Sequence, residues 1–287
     1  MPIISILFVK IISLIDLLFK KIFNRNLSGL IFDNLQLRFS EIIINEKKFK
    51  IYSPSSILLW RSDTYFTKEP ETLEWIKNFK KQELSKIVFW DIGANVGLYT
   101  LYGCAIHQND IEVFSFEPSV NNLKGLATNM SINNLTNQVK IISNPLNNKN
   151  NFSHLNETSL IEGSALNSFS NNINFQGETF NPSLSYETLG FTLDYLVDKN
   201  YLKLPNYIKI DVDGNEHLIL EGFKKNIDNG NIFEILVEIN ENYKIQLEKI
   251  LDFMNKNNFS LTEKFKTSIL SNKEDNFSKT YNYLFKR

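Results

Sequence analysis

From Lys86 onward the chain alternates short, nearly unbroken apolar runs with amphipathic stretches, and this alternation restricts the fold more than any other feature. KIVFWD, IEVFSFE, QVKIIS, YIKID and IFEILVEI read as strands, with helices expected over 98–105, 120–132, 216–223 and 243–255. Strands that are apolar on both faces must be covered on both faces, so the pattern predicts a mostly parallel α/β sheet with helices on either side. NFSLTEKF and KTYNYLFKR, joined by the polar TSILSNKEDNFS, add an antiparallel pair at the sheet edge and bring the count to seven strands. Residues 147–185 break the rhythm. They are rich in Asn and Ser, and so long a connection inside a domain is expected to be functional or disordered.

Upstream, residues 1–30 form an amphipathic helix with a narrow polar stripe of Lys10, Ser13, Asp16 and Lys20. Spanning a bilayer would immerse Lys10 and Asp16 at about 2.5 to 3.5 kcal/mol each. Two readings therefore stand: packing on this domain or on a second subunit, or peripheral membrane contact through residues 1–24 with Lys20, Lys21 and Arg25 toward anionic lipid. No small-residue cleavage site follows the apolar stretch. Residues 31–85 read as a small β cap, with INEKK as a hairpin connection, followed by a helix in TKEPETLEWIKNFKK. That helix has Thr67 as candidate cap, Pro70 in its first turn and Leu73, Ile76 and Phe79 on one face. Trp60, Arg61 and Trp75 are candidate pocket residues. Residues 86–287 form the third unit.

Charge and cysteine content exclude several function classes. Lys+Arg 31 against Asp+Glu 32 leaves net charge -1, without the basic footprint of a nucleic-acid binder. One cysteine and three histidines provide neither an intrachain disulfide nor a Cys/His zinc site, as expected of a cytosolic chain without a structural metal.

Only 11 of 287 residues are glycine, about half the usual share, so their positions are informative. Two lie in KIVFWDIGANVGLYT, where a buried strand ends at Asp91, turns at Gly93 and enters a helix near Val96. Unpaired N–H groups and the positive helix end face such a turn. The spacing is GxxxG rather than the GxGxxG of a dinucleotide site, and Asp91 would repel a pyrophosphate but welcome an ammonium. A nucleoside carrying an amino acid is the ligand that charge selects. Glu117, ending the second strand 20 residues after Gly97, stands where nucleotide-binding sheets place a carboxylate against ribose hydroxyls. Asp211, at the end of the fourth strand in KIDVDGNE, faces the same crevice, with Asp213, Glu216 and His217 nearby as candidate bases and Glu238 on the fifth strand opposite. His217 is more simply a satisfied or solvent-facing histidine.

FWDIGANVGLYT, FSFEPSVNNLKGLATNMSINNL, GSALNSF, TLDYL, YIKIDVDGNEHLILEGF and ILVEI, in this order, resemble the FkbM family of S-adenosylmethionine-dependent methyltransferases over roughly residues 86–240, and WRSDTYFTKEPETLEWI, which looks like the lead-in of many bacterial members, extends the likeness back to Trp60. The resemblance implies a seven-stranded Rossmann-like methyltransferase sheet. It also implies S-adenosylmethionine as cofactor and methyl transfer to a hydroxyl of a sugar, glycan or secondary metabolite. It places Asp91, Gly93, Asn95 and Gly97 at the methionine end of the cofactor and Glu117 at the ribose; Asn144, after the third strand, falls where this fold contacts adenine. Asp211, Asp213 and Glu216 are the catalytic candidates, and Ser164, Asn167 and Ser168 of GSALNSF the acceptor-loop candidates. Asp213 stands where many members carry Glu. No metal ligand is assigned. Because S-adenosylmethionine is a cytosolic metabolite, the domain is expected in the cytoplasm, including the inner face of the membrane. Two other classes compete: a metal-dependent glycosyltransferase using the DxD of residues 211–213, and a non-catalytic membrane-attached scaffold of the same fold.

Overall fold

The computed structural model describes residues 2–82, 85–266 and 279–287. Two helices, α1 (Pro2–Phe23) and α2 (Leu27–Leu35), precede a hairpin of β1 (Phe39–Ile44) and β2 (Lys47–Tyr52), then α3 (Ser56–Asp63) and α4 (Pro70–Lys77). The hairpin turns where expected, with Asn45 and Glu46 both at positive φ. The β element is narrower than residues 31–66, since α2 and α3 flank it as helices. Asn129 and Asn133, in and just after the helix Val120–Ile132, satisfy the outer edge of β2: their side-chain oxygens accept from Tyr52 N and Lys50 N. Glu69, not Thr67, precedes α4; the Thr67 hydroxyl turns back to the carbonyl of Thr64.

The alternating region follows as β3 (Ile87–Ile92), α5 (Leu98–His107), β4 (Ile111–Phe116), α6 (Val120–Ile132) and β5 (Val139–Ile142). The interrupting segment holds β6 (Asn151–Glu157), β7 (Ser168–Phe169) and β8 (Leu184–Gly190), paired as a separate antiparallel sheet in the order β7-β6-β8. Residues 147–185 are thus partly sheet rather than loop. Polar side chains alternate along β6 and β8, so no apolar run announced them. Then come α7 (Leu193–Asp198), β9 (Tyr207–Ile210), α8 (Glu216–Glu221), β10 (Glu234–Asn240), α9 (Lys244–Lys256), β11 (Ser260–Lys266) and β12 (Thr280–Lys286).

All seven expected strands join one sheet in the order β11-β12-β10-β9-β3-β4-β5. The pairs from β10 through β5 are parallel, and β12 runs antiparallel to both β10 and β11. TSILSNKEDNFS lies outside the described residues. Alternation along β3 sends Ile87 and Phe89 to the face covered by α4, α5 and α6, and Val88, Trp90 and Ile92 to the face covered by α7, α8 and α9. Trp75 belongs to the first core: it is buried, donates to Glu234 and meets Phe79 edge-on. It is not among the residues that line the main cavity.

Candidate active site

The ends of β3, β4, β9 and β10 open onto one cavity of about 800 Å³, large enough for a nucleoside with an acceptor beside it. The hairpin side closes it through α3, with Trp60 and Arg61 on the wall.

The turn after β3 needs its glycine for backbone contact. At Gly93, φ is +81° and a Cβ would stand 1.7 Å from the carbonyl oxygen of Asp211, so any side chain would separate the β3 and β9 tips. Gly97 answers a packing need instead: at φ +79°, its Cβ would fall 2.4 Å from Leu126 Cδ1, and the residue is absent from the cavity wall. Asn95, at φ 52°, does line the cavity. Its amide nitrogen donates to the carbonyl of Ser164 at 2.9 Å.

Strand alternation places Asp91 differently from the sequence expectation. The residue is fully buried on the α5 face, and its Oδ2 accepts from the Thr100 hydroxyl at 2.6 Å. Burial raises its pKa. Asp91 is not on the cavity wall, and its Oδ1 is buried without a hydrogen-bond partner among the described residues. Glu117 does reach the cavity. Its oxygens accept from Asn95 N at 2.8 Å and Ser119 N at 2.9 Å, which leaves each one further lone pair for a ligand hydroxyl. Burial pushes its carboxyl up to about 7 against those two donors and the Asn122 side chain.

Asp211, Asp213 and Glu238 converge on the same cavity, one oxygen from each lying within 4.8 Å of the others, a spacing that could also receive a cation. Asp211 Oδ2 meets Lys209 Nζ at 2.6 Å. The lysine is 1% exposed, runs over the Tyr99 ring and lies on the α5 face with Asp91. Burial alone would raise the Asp211 pKa, but Lys209 and then Lys68 outweigh it and hold the carboxyl below its ordinary value. Glu238 goes the other way, held well above the usual carboxylate range by burial and by the Asp211 charge. Asp213 is pushed up to about 6 by the same two causes. Its Oδ2 accepts from Leu166 N at 2.6 Å, and both residues hold positive φ.

The remaining candidates separate by position. Glu216 lies behind the 211–214 loop, accepting from Val212 N, Gly214 N and the Gln246 amide, and is not on the cavity wall. Burial pushes it up to about 7, but its oxygens are occupied in shaping the loop. His217 is 7% exposed, packed edge-on against Tyr243, and burial lowers its pKa to about 4, so it is a neutral packing residue. Ser164 and Asn167 line the cavity, whereas Ser168 is buried and bonded to Asn171. Asn144 lines the cavity end formed with Phe116, Pro145 and Leu146 and donates to the carbonyl of Leu189.

Sequence reasoning missed the network beside this trio. Lys68 pairs with the buried Glu69 at 2.9 Å, and the Tyr99 hydroxyl donates to the same carboxylate at 2.8 Å. It also missed the fastening of GSALNSF. Asn122 donates to the carbonyl of Ser164 and accepts from Gly163 N, and Thr158 Oγ1 donates to the carbonyl of Ala165. One signal was available for Lys209: a lysine inside the buried run YIKID must have buried counter-charges.

The sequence matches the model of the Methyltransferase FkbM domain over residues 91–261, more than half of the chain. That match displaces the glycosyltransferase reading of residues 211–213. No curated protein matches. The chain is similar to the FkbM methyltransferase of Methylobacillus flagellatus, at 13% identity and TM-score 0.45, over 88% of this chain and 57% of that one. It spans little more than half of that relative. It is also similar to a precorrin-6y C5,15-methyltransferase of Geobacter metallireducens, at 12% identity and TM-score 0.41, over 76% of this chain and 88% of that one. A third similarity is to Aeropyrum pernix fibrillarin solved with S-adenosyl-L-methionine, at 8% identity and TM-score 0.44, over 87% of this chain and 83% of that one. These likenesses concern the chain trace alone.

Proposed function

The chain belongs to the FkbM methyltransferase family, and from that premise we propose that it transfers the methyl group of S-adenosylmethionine to a hydroxyl oxygen of a sugar, glycan or related secondary metabolite. One observation carries the reading: Glu117 and the Asp211, Asp213, Glu238 trio open onto the same cavity. The residues present fit the cofactor. Glu117 has lone pairs free for a ribose diol, the trio offers negative charge to an ammonium, and the buried Ser164 Oγ lacks a protein partner. Asn144, beside Leu146 and Phe116, would meet the adenine.

The cofactor, when bound, supplies a methyl group on a sulfonium sulfur. The protein's part is to hold the acceptor oxygen in line with that methyl, positioning that can be worth roughly 7 to 11 kcal/mol. The chain's own part in the chemistry would be to receive the acceptor's hydroxyl proton on a carboxylate. Asp211 is the base, because Lys209 meets its carboxylate at 2.6 Å and lowers its pKa, whereas burial and the Asp211 charge raise that of Glu238. Asp213 steadies the 163–166 segment through Leu166 N.

Calorimetric titration with S-adenosylhomocysteine tests the first half of this reading, and transfer of labelled methyl to a panel of glycan hydroxyls tests the second. Absence of nucleoside binding would overturn it. Unchanged cellular glycan methylation in Asp211→Asn and Glu117→Ala strains would favour the scaffold reading instead.

We also assign the N-terminal helices to an anionic membrane surface. Ile4, Phe8, Leu14, Leu18 and Phe23 of α1 and Phe32 of α2 are exposed. Asp16 is taken up as a cap by Ser28 N at 2.9 Å, while Lys10, Lys20, Lys21 and Arg25 make no ion pair among the described residues. Among the described residues no helix is long and apolar enough to cross a membrane. Deleting residues 1–37 is expected to move the protein from the membrane pellet to the supernatant and to abolish co-sedimentation with phosphatidylglycerol vesicles. An unchanged partition would exclude this role.

A further inference from the structure

Two cations line the cavity among the described residues, Arg61 and Lys68. Lys68 is paired with Glu69. Arg61 makes no ion pair; its Nε donates to the carbonyl of Gly163 at 2.7 Å, and its other four N–H hydrogens meet no acceptor among the described residues. That single bond determines where the guanidinium sits. Gly163 leads into Ser164, whose carbonyl accepts from the Asn95 side chain at 2.9 Å and from Asn122 at 3.0 Å. Arg61 is therefore tied, through two consecutive residues, to the tip of the turn between β3 and α5. On the same segment, Ser164 Oγ is buried without a partner.

A methionine end carries one charge of each sign, and a site that holds it needs both. The Asp211, Asp213, Glu238 trio supplies the negative side of this cavity. We propose that Arg61, with the Ser164 hydroxyl, is the seat of the carboxylate of the bound S-adenosylmethionine. A planar fork of N–H donors matches a carboxylate in two parallel bonds, which neither a lysine nor a backbone amide reproduces. Arg61 lies outside residues 91–261, the segment matched by the family model, so the assignment comes from the fold of this chain rather than from the match. It deepens the cofactor reading above and rests on it.

The test compares S-adenosylmethionine with its decarboxylated analogue, which keeps the ammonium and the sulfonium and lacks only the carboxylate. Calorimetry on the full-length protein is expected to show about 10- to 100-fold tighter binding of the complete cofactor. In Arg61→Met that preference should vanish, with affinity for the decarboxylated analogue unchanged, which also reports an intact fold. Ser164→Ala should lose a smaller part of the preference. If Arg61→Met does not fold, Arg61→Lys, which keeps the charge without the fork, carries the same comparison with a partial loss expected. Equal weakening of both ligands, or of neither, would overturn the assignment; the second outcome would turn Arg61 toward an anionic group of the acceptor. Wild-type protein that binds neither nucleoside would overturn the cofactor reading and this assignment together.

Discussion

Asp211→Asn should lower kcat by about 100- to 10,000-fold, with a smaller loss of about tenfold in S-adenosylhomocysteine binding, since Asp211 also offers charge to the ammonium. The amide is nearly isosteric and can still accept a hydrogen bond from Lys209, but it cannot take a proton from an attacking hydroxyl. Its neighbours are poor substitutes. Burial, which raises Glu238 more than the Asp211 charge does, persists in the variant, and Asp213 is engaged by Leu166 N at 2.6 Å. The pH profile adds an independent check. Asp211 is held below its ordinary value, so wild-type kcat should be flat through the neutral range and fall only in acid. Residual activity of the variant should climb with pH, as the remaining acids ionise. A loss of less than tenfold, or a flat residual profile, would place the base elsewhere.

Lys209→Met should destabilise the protein by roughly 3 kcal/mol, or about 6 to 12 °C in Tm. The lysine is sealed on the α5 face and answers Asp211, Asp91 and Glu69, whose charges together outweigh burial and raise its pKa. Removing it strands buried carboxylates. The low end of the usual range applies because the Asp211 side chain keeps 22% of its surface toward the cavity. The sign of the pH effect separates this from simple loss of packing. In the wild type, Lys209 has a raised folded pKa, so its contribution is complete below the unfolded lysine value of about 10.4. Asp211 has a lowered one, so its contribution is present above about 3.9 and is lost as pH falls through the folded value. In the variant the folded pKa of Asp211 should rise above its unfolded value, and that of Asp91, already raised by burial, should rise further. The native state then binds more protons, and stability falls as pH increases from about 4 toward neutrality. Urea unfolding at pH 5 and pH 7 reads this directly: the deficit should shrink at pH 5. An equal deficit at both values would mean that Lys209 contributes packing alone.

Legibility followed the strength of local patterning. The seven strands and α6 were readable because parallel strands buried on both faces, and helices between them, demand apolar residues at fixed periods. The small sheet β7-β6-β8 was not, since sequences such as NFSHLNE and LSYETLG carry polar residues at alternate positions and their partners lie far along the chain. In the site, Gly93, Asn95, Glu117 and Asp211 could be picked out from a strand end followed by a turn. Their neighbours could not. Glu216 follows Asp211 by five residues, yet its carboxylate turns inward to the loop's own N–H groups.

The amino-acid sequence by itself determined the order of the seven main-sheet strands and of α5, α6, α8 and α9, the family and the chemical types gathered at the sheet's carboxyl edge, since these follow from short-range periodicity and from residues adjacent in the chain. Tertiary structure alone decided which of those side chains reach the cavity. Alternation along β3 buries Asp91 beneath Thr100, and parallel pairing of β3 with β9 brings Lys209 to the same face. Folding of 163–166 across the cavity brings Arg61 to the edge of the turn 102 residues from its hydrogen-bond partner's place in the chain. Direction and distance between side chains far apart in sequence are set by packing, and packing has no local signature.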